Sequence, residues 1–240
     1  MAGHSKWSKI KRDKGANDAK RGAVFTKLGN QIAIAARAGT DPVMNSALAL
    51  AIERAKAANM PSTNIQRAID RIADKNAAVM EELTYEAYGP GGVGIIIEAA
   101  TDNRNRTFPE VRNALVKNGA QIADAGSVAF QFTRKGVIVV GETGEEALMT
   151  VLDAGAEDAL EEDGEIIVYT DQKDLASVRT NLVEAGLSVK DAELQYVANT
   201  PVEVADTETT DRLLKVLEAL DDLDDVVNVH TNADITADIA

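Results

Sequence analysis

The sequence predicts an α+β protein: an N-terminal three-helix domain followed by two α/β domains of ferredoxin-like, split βαβ order, one inserted in the other. Three observations predict it. Apolar residues recur at helical spacing through the first 75 residues, and from residue 83 short β-branched runs alternate with helical stripes. A complete β-α-β-β-α-β series then lies between an unfinished β-α-β-β series and a last helix and strand that would finish it. The expected domains are residues 1–77, residues 80–133 together with 202–240, and an insert at 134–201.

In the first domain Phe25, Leu28, Ile32 and Ala35 share one helix face, which Gly39 ends. Leu48, Ile52 and Ala55 form a second stripe behind Asn45, an expected N-cap, and Asn59-Met60-Pro61 closes it. Ile65, Ala68, Ile69 and Ile72 form the third, with Thr63 and Gln66 resembling a capping box at its start. The turn at 59–61 also fits a helix-turn-helix, a weak signal because most helical bundles contain such a turn.

In the second domain a strand at 95–100 precedes a helix through Val111, Leu115 and Val116, then a strand pair at 121–123 and 128–132. The insert reads as a strand at 137–140, a helix through Leu148, Val151 and Leu152, and a strand at 156–160. The turn Asp163-Gly164 leads to a strand at 166–169, a helix through Leu175, Val178 and Leu182, and a strand at 187–197. A helix through Leu213, Leu214, Leu217 and Leu220 and a strand at 226–230 return to the second domain.

Composition narrows the function. The chain of 240 residues has no cysteine, which removes disulfides, thiolate metal sites and cysteine nucleophiles and suits a reducing cytoplasm, the expected location. His4 and His230 are its only histidines. No run of about 18 apolar residues occurs, so no membrane partner is expected. The net charge of −14 hides a strong asymmetry. Residues 1–75 carry 14 Lys or Arg against 6 Asp or Glu, a net of +8, whereas the remaining residues carry 11 against 33, a net of −22. A basic module on an acidic protein points to a polyanionic partner.

Candidate contacts follow from that asymmetry. Lys6, Lys9, Lys11, Arg12, Lys14, Lys20, Arg21 and Lys27 form a basic N-terminal arm, interleaved with small residues and with Trp7, the sole tryptophan. Such cations neutralise phosphates, and an indole beside them can stack on an unpaired base. The competing reading is a solvated basic tail with Trp7 packed on the helices. A second candidate is Asn103, Arg104, Asn105 and Arg106, between a strand end and a helix start, where donors can converge on phosphate or base edges. Its competing reading is helix capping by Asp102 or Thr107 with a structural arginine.

Other motifs carry less. Gly89, Gly91 and Gly94 fit the G-x-G-x-x-G pattern, but they precede a strand instead of joining a strand to a helix, so a tight turn is expected and no cofactor. The acidic runs at 161–163 and 221–225 lack calcium-loop spacing and read as solvated surface, with no metal expected. The second run follows a helix C-terminus, where the macrodipole disfavours negative charge; that placement fits a basic partner or the protein's own arm. No nucleophile-elbow, zinc-protease or phosphate-loop motif is present, so no enzymatic activity is expected.

Met1-Ala-Gly-His-Ser-Lys-Trp7, Asp18-Ala-Lys-Arg-Gly22 with Phe25-Thr-Lys27, Asn59-Met-Pro61, Tyr88-Gly-Pro-Gly-Gly92, Asp102-Asn-Arg-Asn-Arg-Thr107, Gly126-Ser-Val-Ala129 and Ala154-Gly-Ala-Glu-Asp158 together resemble the YebC/PmpR family, in order over nearly the whole chain. The resemblance implies a three-domain architecture and a regulator of transcription that binds DNA. Mitochondrial relatives imply a second class, translational activators, and some bacterial members are linked to ribosomes stalled on proline-rich sequences. The expected partner is therefore DNA, or ribosomal RNA and the ribosome. Gln31, Ala49 and Ala120 depart from the family pattern, which usually has an acidic residue, a basic residue and a glycine at these places. The missing cation at Ala49 weakens the second helix as a phosphate contact.

Overall fold

The computed structural model describes residue 7, residues 21–72 and residues 78–237. The fold is α+β. The chain divides into two compact units, one formed by residues 1–133 with 198–240 and the other by residues 134–197.

Three helices open the first unit: α1 (Arg21–Ala36), α2 (Ser46–Ala57) and α3 (Ser62–Asp70). Leu28, Ile32, Leu48, Ala55, Ile65 and Ile69 come from their apolar stripes to share one buried cluster. Asn45 caps α2 through its side-chain oxygen, which accepts from Leu48 N at 3.1 Å. Its amide donates to the carbonyls of Ala35 and Gly39 at 2.8 and 2.7 Å, tying the end of α1 to the start of α2. Asn59 adopts φ 59°, and Met60 N–H bonds Ala55 O at 2.9 Å, a Schellman closure of α2. The expected capping box on α3 is absent. Thr63 lies inside the helix, Pro61 precedes it, and Gln66 reaches forward to Asp70 at 2.8 Å.

Next come β1 (Glu81–Tyr88), β2 (Gly94–Thr101), α4 (Arg104–Lys117) and β3 (Gln121–Ala123). After the second unit the chain returns as β8 (Val202–Val204), α7 (Thr207–Asp221), β9 (Val226–Thr231) and β10 (Ala233–Ile235). The main sheet has the order β3-β1-β2-β9, with β1 antiparallel to β2 and β3, and β2 antiparallel to β9. Ile95 and Ile97 of β2 face a core shared with Val111 and Leu115 of α4 and Leu213 and Leu217 of α7. The opposite face receives α1, where Ala33 packs against Met80 and Ala100 and the Asn30 amide donates to Ala100 O at 3.4 Å.

Two expectations need correction. Strand β1 is missing from the sequence reading, because Glu81, Glu82 and Glu86 interrupt its apolar alternation; the Glu86 side chain has its own partners inside the fold. Residues 128–132 do not form a strand paired with β3. A single 3₁₀ turn at Ala129–Gln131 leads into β4, which begins at Phe132.

The second unit holds β4 (Phe132–Val140), α5 (Glu145–Asp153), β5 (Asp158–Glu162), β6 (Glu165–Thr170), α6 (Leu175–Glu184) and β7 (Val189–Ala198) in the sheet order β5-β6-β4-β7. This is the split βαβ order. The β5–β6 turn uses Asp163 and Gly164 at φ 53° and 81°, both left-handed as a two-residue hairpin turn requires. Among the described residues no helix is long and apolar enough to cross a membrane.

Candidate nucleic-acid interface

Strand β2 ends at Thr101, and α4 starts three residues later under an Asn103 cap whose side-chain oxygen accepts from Arg106 N at 3.3 Å. Asn103 therefore does the capping expected of Asp102 or Thr107. Beneath this corner lies Asp225, only 6% exposed, from the turn before β9. Its carboxylate accepts from Thr101 Oγ1 at 3.0 Å, Thr107 Oγ1 at 2.7 Å, Arg106 Nε at 3.2 Å and Arg106 Nη2 at 2.8 Å. Bonding to Asp225 raises the pKa of the Arg106 guanidinium still further, so it is a fixed cation. Arg71 joins the corner from the end of α3, 2.9 Å from Asp102.

These contacts correct the acidic-run reading. The run at 221–225 is not simply solvated surface: Asp222 and Asp224 are exposed, but Asp225 is a buried acceptor. The unfavourable charge at the α7 C-terminus also has an answer. Lys27 Nζ donates to the Asp221 carbonyl and lies 3.4 Å from its carboxylate, with a side chain only 13% exposed. A cation at the last carbonyls offsets the dipole. Lys27 is thereby withdrawn from the set of phosphate contacts.

Trp7 requires a correction too. It is 3% exposed, packs in the core beneath the main sheet, and donates Nε1–H to Val229 O at 3.2 Å. Val229 lies on β9, an edge strand with a carbonyl to satisfy, and burying the indole with its N–H paired is the favourable outcome. The ring is not presented for stacking on a base. Lys6, Lys9, Lys11, Arg12, Lys14, Lys20 and the side chain of Arg21 lie outside the described residues.

Around the Asp225 corner is a cleft of about 580 Å³ lined by Thr26, Asn30, Met80, Arg71, Arg106, Asp102, Glu110 and residues 222–225. Five carboxylates face two guanidiniums there, so the cleft repels phosphate. Of the four residues expected at this loop, Asn103 and Arg106 serve the fold. Arg104, with its side chain 69% exposed and only a 3.7 Å contact to Glu81, and the exposed Asn105 point outward.

The glycine segment is a turn from β1 into β2. Gly91 and Gly92 take φ 77° and 75°, Gly89 N–H bonds Val93 O at 2.8 Å, and Gly94 N–H bonds the Asn232 side chain at 2.7 Å. Glu86, on β1, accepts N–H bonds from Gly126, Val128 and Ala129 at 2.6, 2.6 and 2.8 Å. Burial pushes its pKa up, but the three amides outweigh this and hold it below the usual carboxylate value.

Sequence reasoning missed several exposed apolar side chains, Phe108 and Phe130 among them. Phe108, 42% exposed on α4, lies edge-tilted against Tyr85 of β1, with ring centroids 6.0 Å apart at 47°. Arg104 lies close enough to oppose the upward shift that burial imposes on the Tyr85 hydroxyl. The spacing of Arg104, Phe108 and Arg112 at i, i+4 and i+8 was the available signal.

A helical layer, a four-stranded sheet and a split βαβ unit define a class of multi-domain α+β proteins whose charge is segregated along the chain. The chain belongs to the TACO1/YebC family: residues 5–75 match the model for the TACO1/YebC protein N-terminal domain, and residues 80–233 match that for the second and third domain. It is 47% identical over its full length to a "Probable transcriptional regulatory protein" of Herpetosiphon aurantiacus, covering 97% of that protein. It is 45% identical, again over its full length, to one so named from Desulfotalea psychrophila, covering 98%. The crystal structure of a conserved hypothetical protein from Aquifex aeolicus, 40% identical, superposes with a TM-score of 0.86 over 92% of this chain and 93% of that one.

Proposed function

We propose that the chain is a DNA-binding transcriptional regulator of the cytoplasm, acting by binding and not by catalysis. One observation carries the reading: a net charge of +8 in residues 1–75 of a protein whose remainder carries −22. The names of the curated relatives support it. The contacts are Lys6, Lys9, Lys11, Arg12, Lys14, Lys20 and Arg21, with Arg104 and Asn105 outward on α4. Trp7 anchors the basic segment to β9 instead of touching the ligand.

The test is a titration of duplex promoter DNA across salt concentration. With about six phosphates neutralised, log K falls against log salt with a slope of roughly −5. Changing Lys6, Lys9, Lys11, Lys14 and Lys20 to glutamine while keeping Trp7 flattens that slope and leaves the melting temperature unchanged. A flat slope in the unmodified protein removes the reading. Sedimentation with ribosomes and no recovery on promoter DNA would move it to the ribosome-associated translation factor that the resemblance also implies.

A further inference from the structure

On α4 the inward residues Thr107, Val111, Ala114 and Leu115 satisfy the core. Phe108 stands outside that core cluster, 42% exposed beside them. Arg104 and Arg112, both exposed, lie one turn before and one turn after it, each about 6 Å along the helix axis. Tyr85 backs the ring from β1 at 6.0 Å and is itself packed on the core, so Phe108 rests on a firm support. A half-exposed aromatic ring between two arginines matches the alternation of base and phosphate along a single strand.

We propose that Phe108, with Arg104 and Arg112 on either side, is a stacking platform for one unpaired base of a single-stranded nucleic acid and its flanking phosphates. The proposal rests on the nucleic-acid reading and adds to it a ligand form: a strand with an exposed base. An acidic peptide could satisfy the arginines but would leave the ring face without a flat partner. A paired base in a duplex has both faces occupied by its neighbours.

The experiment uses the full chain and two labelled probes of equal length and charge, a thymidine strand and an abasic strand. The expected result is that the protein binds the thymidine strand about fivefold or more tightly, the smallest effect typical of one stacked base. Phe108→Ala brings the ratio close to one without changing the salt slope. Phe108→Leu, which preserves bulk, does the same, and serves if the alanine variant unfolds. Arg104→Gln weakens both probes by a similar factor. Equal binding of both probes by the unmodified protein overturns the platform and leaves the proposed function standing. So does an unchanged ratio in a folded Phe108→Leu variant, or equal competition by polyglutamate of the same charge. Binding of neither these probes nor duplex DNA overturns both.

Discussion

Asp225 holds two buried hydroxyls and one half-exposed guanidinium, and the partners differ in what they lose without it. Thr101 and Thr107 are each 1% exposed, so removing the acceptor leaves the Thr101 hydroxyl proton without its partner and Thr107 with only its 3.1 Å bond to Asn103 O, whereas Arg106, with a side chain 47% exposed, regains water. Asp225→Ala should therefore cost about 2–4 kcal/mol in urea unfolding. Arg106→Lys should cost about 1 kcal/mol or less, since solvent screens that partner, and should leave nucleic-acid preference unchanged. A changed preference in a stable Arg106→Lys variant would return Arg106 to the interface. Glu86 gives a pH dependence with a definite sign. Its folded pKa lies below the unfolded value, so its contribution is present above the unfolded carboxylate pKa and disappears as pH falls through the folded one. The stability gap between the unmodified protein and Glu86→Gln should be full near neutrality and shrink below about pH 4; a gap constant down to acid pH would mean that the carboxylate charge is irrelevant to the loop.

At the scale of elements, two joints are decisive. The turn from β1 to β2 places Gly91 at φ 77°, where a Cβ would also meet Thr209 Cγ2 at 3.1 Å. Gly91→Val should lower stability by about 1–3 kcal/mol, measured by thermal unfolding; titration calorimetry with NAD or ATP on the unmodified protein should show no heat beyond dilution. The other joint is the β9 edge. Trp7→Ala removes a buried ring and leaves Val229 O without its donor, so a loss of about 3–5 kcal/mol is expected. Truncation through residue 20 therefore confounds binding with folding, which is why charge substitution is the cleaner test of the basic segment. If Trp7→Ala melts like the unmodified protein, the anchor is not needed for stability.

For the whole molecule, negative charge is densest in the second unit. Residues 134–197 contain 5 Lys or Arg against 15 Asp or Glu, a net of −10, so this unit repels a polyanion. Where the chain leaves and re-enters the first unit, Asn199 N–H bonds Gln131 O at 2.8 Å and Thr133 Oγ1 bonds the Asn199 side chain at 2.8 Å. Replacing 134–197 with a short Gly/Ser linker should leave the helices and main sheet folded. Affinity for duplex DNA should rise at low salt, with the gain vanishing at high salt as screening shortens the reach of the lost charge. A gain independent of salt would show that the unit acts by something other than its charge.

By itself the sequence determined the α+β class, the three helices, the split βαβ series and the charge asymmetry, because helical and strand periodicity and local charge are properties of neighbouring residues. The Asn45 cap and the Asp163-Gly164 turn were legible for the same reason: each acts within a few residues of itself. Only the tertiary structure decided that Trp7 is an anchor, that Lys27 closes α7, that Asp225 organises the α4 corner and that Glu81–Tyr88 is a strand. Trp7 meets Val229, Lys27 meets Asp221 and Arg106 meets Asp225 across separations of more than a hundred residues. Whether a charge or an indole faces water or a partner depends on which distant element folding brings beside it, and periodicity carries no record of that.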